Sequence, residues 1–220
     1  MKALIWKDLQ LLKYVNFIIG IVGILFTFVI MSQEVFFISQ LAYAFLAFVF
    51  PYVASMFLSQ HESKSQGDVV VNSLPVKRRE IVKARYYTLG VYSLGINILM
   101  FVLSTLIGVF MSDSFRGSPS SIFTIFLAIA FTLIFFSLYL PFQYYSQGKV
   151  QIFNGIFYLL LMLIPNILRR YGQKIMTTKF FNVLVSLDFV ILSFVLLLFS
   201  LLLYALSFGI STIIYKNKEF

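Results

Sequence analysis

The chain has no cysteine, so disulfides, thiolate nucleophiles and cysteine-based metal sites are excluded. His61 is the single histidine. That excludes His-pair zinc sites and leaves a Ser-His-Asp triad with one available base. No GxxxxGK[ST] phosphate loop and no Gly-rich dinucleotide fingerprint occurs anywhere in the 220 residues. Charge is scarce as well, at 11% of residues, where a soluble domain carries about 25%. A chain this poor in charge lacks the polar groups to cover a water-facing surface.

Apolar residues make up 60% of the chain and aromatic residues 19%. Several apolar runs exceed the roughly 18 residues that mark a membrane span. They lack the apolar-out, polar-in alternation of a transmembrane barrel. The fold class is therefore all-α and polytopic, a single transmembrane domain over residues 1–220. The expected spans are about 14–31, 35–59, 86–111, 121–142, 150–168 and 183–215. The fifth is short and contains Asn154, Pro165 and Asn166, so it is the run most open to being broken or re-entrant. The sixth is longer than a bilayer needs and has room to tilt or to extend into water.

The net charge is +9. Its cations gather at span ends, where the positive-inside rule and anionic lipid account for them. No base-stacking or groove-reading module accompanies them, so nucleic acid is not an expected partner. With both termini in the cytoplasm, 12 of the Lys and Arg residues fall inside and 5 outside. The cluster Arg169, Arg170, Lys174 and Lys179 runs against that bias. It belongs either to an external role or to a fifth run that does not fully cross.

Residues 1–13 read as an amphipathic interface helix. Leu4, Ile5, Leu9 and Leu12 oppose Lys2, Lys7, Asp8, Gln10 and Lys13, with Trp6 suited to the headgroup level. The segment is too charged for a cleaved signal, so the first span is expected to be retained. Span interiors carry no formal charge, which counts against an ion-coupled pathway. Asp188 and Glu34 lie near span ends and read as interface residues. Gly20 with Gly23, and Ser104 with Gly108, permit close helix packing. Pro51 and Pro141 are expected to kink their spans. Asn97 lies deep in the third span, where its amide needs a partner.

The densest polar stretch is 60–85. It contains His61, Glu62, Lys64, Asp68, Lys77, Arg78, Arg79, Glu80, Lys83 and Arg85 between two apolar runs. By charge alone it reads equally well as a solvated loop. Its order says more. Gly67 and Pro75 punctuate it, Asn72 or Ser73 can cap a helix, and a helix from Lys77 onward can run into the third span. Ile81 and Val82 would pack there while Arg78, Glu80 and Arg85 stay polar. An apolar Leu74-Pro75-Val76 knob rimmed by charge makes a protein-docking surface.

Asp68, then Ser73-Leu74-Pro75-Val76, Lys77, Ile81-Val82 and Arg85-Tyr86, resembles the first cytoplasmic loop of type-2 ABC transporter permeases of the bacterial exporter type. Lys7-Asp8-Leu9-Gln10-Leu11-Leu12-Lys13 is similar to that family's N-terminal helix. The external segment before the last span is shorter than is usual in that family, so a large external gate is not expected. The resemblance implies a short coupling helix between spans 2 and 3, centred on Asp68, Asn72, Leu74, Pro75, Val76 and Arg78. It implies cytoplasmic ABC ATPase subunits as partners, which would bind ATP and Mg, and a second permease subunit, identical or not. This chain would do no catalysis and hold no cofactor or metal.

Within the group the chain looks closest to permeases of staphylococcal-type exporters of phenol-soluble modulins, which are amphipathic peptide toxins. Peptide or lipophilic cargo would suit an aromatic, uncharged cavity, with Phe48, Tyr52, Asn97, Phe101, Phe135 and Tyr139 as candidate lining. For any one of these residues taken singly, aromatic packing or contact with membrane lipid is the stronger explanation. Two other classes remain in view. An intramembrane enzyme would need a cluster of His, Asp, Glu or Ser that is missing. A non-transport membrane partner, a sensor or immunity subunit, is compatible with the composition.

Overall fold

The structure is a computed structural model. It describes residues 2–64, 77–110, 117–146, 150–159, 163 and 188–218. These form α1 (Lys2–Leu11), α2 (Lys13–Met31), α3 (Phe36–Lys64), α4 (Arg78–Phe110), α5 (Ile122–Tyr145), α6 (Val150–Leu159) and α7 (Phe189–Lys216). No strand occurs among the described residues. Five helices, α2, α3, α4, α5 and α7, are long and apolar enough to cross a membrane. Apolar residues such as Phe17, Leu25, Phe110, Leu202 and Leu206 stand exposed on their outer faces. That outward apolar surface suits lipid as the solvent, where a helix satisfies its own backbone hydrogen bonds.

Contacts fix the directions. Asn16, Gly23 and Met31 of α2 meet Tyr92, Met100 and Gly108 of α4 in turn, so the two run parallel. Phe36, Gln40 and Phe48 of α3 meet Phe123, Thr124 and Phe135 of α5, a second parallel pair. Phe123, Phe126, Ser137 and Tyr144 of α5 meet Phe189, Phe194, Ser207 and Tyr215 of α7, a third. Arg78, Tyr86 and Gly90 of α4 meet Lys216, Ser207 and Tyr204 of α7 in turn, so α4 and α7 are antiparallel. α5 and α7 form the most extensive helix contact. The face of α7 turned inward carries Ser193, Ser200, Ser207, Ser211 and Tyr215, all buried. Small residues at this spacing allow close helix approach in a membrane.

α6 starts at the Tyr144 end of α5 and runs back along it. Phe153 lies against Phe142, and Phe157 lies against Phe135 at 4.6 Å between ring centres. α6 is the described beginning of the expected fifth run. Apart from Leu163, the remainder of that run, with Pro165 and Asn166, lies outside the described residues, as does the 169–179 cluster.

Two helices reach beyond the hydropathy limits. α3 continues to Lys64 rather than stopping near Ser59, and α4 begins at Arg78 rather than Tyr86. Pro51 and Pro141 sit inside α3 and α5. Gly23 is packed against Met100 and Phe50, and Gly108 against Met31 and Pro119, whereas Gly20 faces open space. Asp188 caps α7, accepting the Val190 N–H at 2.9 Å.

Candidate functional site

Residues 65–76 lie outside the described residues. Asp68, Asn72, Leu74, Pro75 and Val76 lie there, and Arg78 is the one expected docking residue with a described position. The base of the loop is described on both sides. It is fastened by a cluster of four charged side chains from α1, α3 and α4.

Arg85 lies seven residues into α4, about 10 Å from its start. Its Nη1 donates to Asp8 Oδ2 at 3.1 Å, and its Nη2 pairs with Glu62 Oε2. Lys7 Nζ stands 3.4 Å from Glu62 Oε1 and 3.5 Å from Asp8 Oδ1. The Arg85 and Asp8 side chains are 7% and 6% exposed, Glu62 18% and Lys7 39%. Two cations and two anions make the cluster neutral as a unit. Buried charges are tolerated when paired in this way, and removing one partner strands the rest.

This corrects two expectations. Asp8 does not lie on a solvated face of the first helix but is buried. Arg85 does not stay on the polar side of α4; it too is buried. The reason is register. Asp8 is four residues from both Leu4 and Leu12, Arg85 four from both Ile81 and Leu89, and Glu62 four from Leu58. Each charge sits on the apolar stripe of its helix, because positions four apart share a face. Leu12, Leu58 and Leu89 are buried beside them. That spacing is the sequence signal which could have revealed the cluster.

The end of α7 joins the same region. Arg78 Nη1 donates to the carbonyls of Lys216 at 2.8 Å and Lys218 at 2.9 Å. Tyr144 and Tyr215 meet edge-on beside the cluster, 5.1 Å between ring centres. A cavity of about 40 Å³ lies over the charges, walled in part by Ser59, Gln143 and Tyr215. That admits a water or two and nothing larger. The cluster is therefore a fastening rather than a cargo site. Both terminal helices and both flanks of the loop meet at this one end of the bundle.

Of the candidate lining residues, Phe48, Tyr52, Phe135 and Tyr139 are brought together, with Phe153 and Phe157 of α6. Tyr52 meets Phe135 edge-on at 5.1 Å, and Tyr139 stacks on Phe135 at 5.4 Å. All four are buried within this one chain. Asn97 and Phe101 lie apart on α4. The Asn97 Nδ2 donates to the Ser93 carbonyl at 2.9 Å, which supplies the amide with its partner.

The opposite end carries a site that the sequence did not single out. Gln40, 1% exposed, accepts at Oε1 from the Ser121 N–H, the Ser121 hydroxyl and the Thr124 hydroxyl, at 2.9, 3.0 and 2.6 Å. Its Nε2 donates to the Pro119 carbonyl at 2.9 Å and to Ser118 Oγ at 3.2 Å. The Gly117 N–H donates to the Met31 carbonyl at 2.9 Å. These bonds tie the entrance to α5 onto α2 and α3.

A family model described as ABC-2 family transporter protein matches residues 3–216. The chain belongs to this family. It is a type-2 ABC transporter permease, a multi-pass protein of the cell membrane. No curated protein and no solved structure matches it. The matched range of this ABC-2 permease takes in the whole charged cluster, the 60–85 loop and every described helix.

Proposed function

We propose that this chain is the transmembrane subunit of an ABC exporter driven by separate ATPase subunits. Membership of the ABC-2 family over residues 3–216 is the observation that carries this reading. The charged cluster supports it. Docking force arriving on the 60–85 loop would enter α3 and α4 where Glu62 and Arg85 lock them together, and would reach α1 through Asp8.

In this reading the loop and both termini face the cytoplasm, and α1 lies at the membrane interface. The return from α5 to α7 through α6 completes six crossings. Asp68, Asn72, Leu74, Pro75, Val76 and Arg78 form the coupling element. ATP and Mg are bound by the partner ATPase, and the chain itself catalyses nothing. Two permease subunits pair around the path, since one small bundle encloses no sizeable passage. The cargo is an amphipathic peptide of the phenol-soluble modulin kind or a lipophilic compound, matched to an uncharged aromatic interior.

The test is capture of the ATPase by the purified permease, together with ATP-dependent export in cells. Leu74→Asp and Pro75→Ala are expected to weaken capture at least tenfold and to lower export, with unchanged insertion in the membrane. Intact capture and export in both variants would overturn the coupling assignment.

A further inference from the structure

Because α4 and α7 are antiparallel, the start of one and the end of the other lie side by side. Lys77 immediately precedes α4, Arg78 and Arg79 open it, and Lys216 comes from α7. Between them opens a groove of about 620 Å³ whose α7 wall is Phe208, Gly209 and Thr212. Phe208 lies eight residues before Lys216, about 12 Å along the helix. The groove therefore runs from a cationic rim down to the level of the hydrocarbon. Among the described residues, nothing lies within 4 Å of the place a Gly209 side chain would occupy. Leu206 and Ile213 flank it, 66% and 64% exposed, so it opens outward to lipid rather than into the bundle.

The cations differ in what engages them. Arg78 spends two donors on the carbonyls of Lys216, the last residue of α7, and Lys218 just beyond it. Lys77, Arg79 and Lys216 are exposed, and no carboxylate among the described residues pairs with them. Several cations above an apolar, membrane-facing wall complement one kind of molecule: a negative headgroup joined to an acyl chain. A soluble anion has no use for the apolar wall.

We propose that this groove is a binding site for an anionic phospholipid, with its phosphate on Lys77, Arg79 and Lys216 and an acyl chain along Phe208 and Gly209. Each basic residue at an anionic lipid surface strengthens binding by about fivefold. The assignment does not depend on the ATPase, and its lipid readout uses the full-length permease alone.

Native mass spectrometry of the detergent-purified protein, titrated with phosphatidylglycerol or phosphatidylcholine, reads the site directly. The wild type is expected to retain phosphatidylglycerol at least tenfold better. The combined variant Lys77→Gln, Arg79→Gln, Lys216→Gln should lose that preference. Gly209→Leu should lower phosphatidylglycerol retention severalfold with every charge in place. Melting curves in detergent check that both variants remain folded. Equal retention of the two lipids by the wild type, or an unchanged preference in the triple variant, overturns the proposal. Displacement by millimolar inorganic phosphate assigns the groove to a soluble anion and overturns it too. An unchanged lipid preference with lost ATPase capture in the triple variant gives the groove to a protein partner instead.

Discussion

At one end of the bundle α1, α3 and α4 meet through four charged side chains. At the other, α2, α3 and the entrance to α5 meet through neutral hydrogen bonds around Gln40 and Gly117. Both ends are buried and both join segments far apart in sequence. They differ in how stability is divided. Charges concentrate it in a single guanidinium, whose removal leaves carboxylates stranded. Neutral bonds spread it over several modest contributions, averaging about 0.6 kcal/mol each inside a membrane protein. The end beneath the 60–85 loop is thus the one where a single side chain decides whether three helices stay joined.

Replacement should expose that asymmetry. Arg85→Leu is expected to have the largest effect, a loss of about 3–5 kcal/mol, because Asp8 and Glu62 keep only Lys7. Melting in detergent and the yield of folded protein measure it. Adding Asp8→Asn and Glu62→Gln to Arg85→Leu should restore most of the loss, since a neutral buried set carries no stranded charge. If the triple variant is no better than the single one, the charges are not what holds this end.

Gly117→Ala comes next, at about 2–3 kcal/mol by the same measurement. Its Cβ would run into the Met31 carbonyl oxygen, and backbone yields less readily than a side-chain tip. Gln40→Leu should cost about 1–2 kcal/mol, because the Ser121 N–H at its buried partner site loses its acceptor. A cost for Gln40→Leu above that of Arg85→Leu would reverse the comparison. Lys7→Ala should be the mildest, below about 1 kcal/mol, since Lys7 is the most exposed member of the cluster. High salt should shrink even that difference, as screening acts mainly on exposed charge.

The all-helical fold was legible, because lipid selects apolar runs and hydropathy reads that selection directly; of the six expected spans, five appear among the described residues as helices long enough to cross a membrane. Helix ends were less so. Hydropathy marks where lipid stops, whereas α3 carries on through Gln60 to Lys64 with no glycine or proline to halt it. The charged cluster was visible only as separate letters. Asp8 and Arg85 were read as polar because charge is usually solvated. Their positions four residues from leucine said otherwise, but pairing them needs the fold to bring α1 against α4. Gln40 gave still less away. It is one polar residue near a helix start, and only the path of residues 117–121 shows why it is buried. The aromatic residues were grouped in part. Phe48, Tyr52, Phe135 and Tyr139 do meet, while Asn97 and Phe101 stand on another helix, α4.

The seam of serines along α7 has a mechanical meaning. Ser193, Ser200 and Ser207 recur every seven residues, and Ser207 donates to the Ser137 carbonyl of α5 at 2.6 Å. Parting the two helices would break that bond and open a dry gap along their length. α5 and α7 are therefore expected to move together, so that a change of shape opening a passage would fall among the helices around this pair rather than within it.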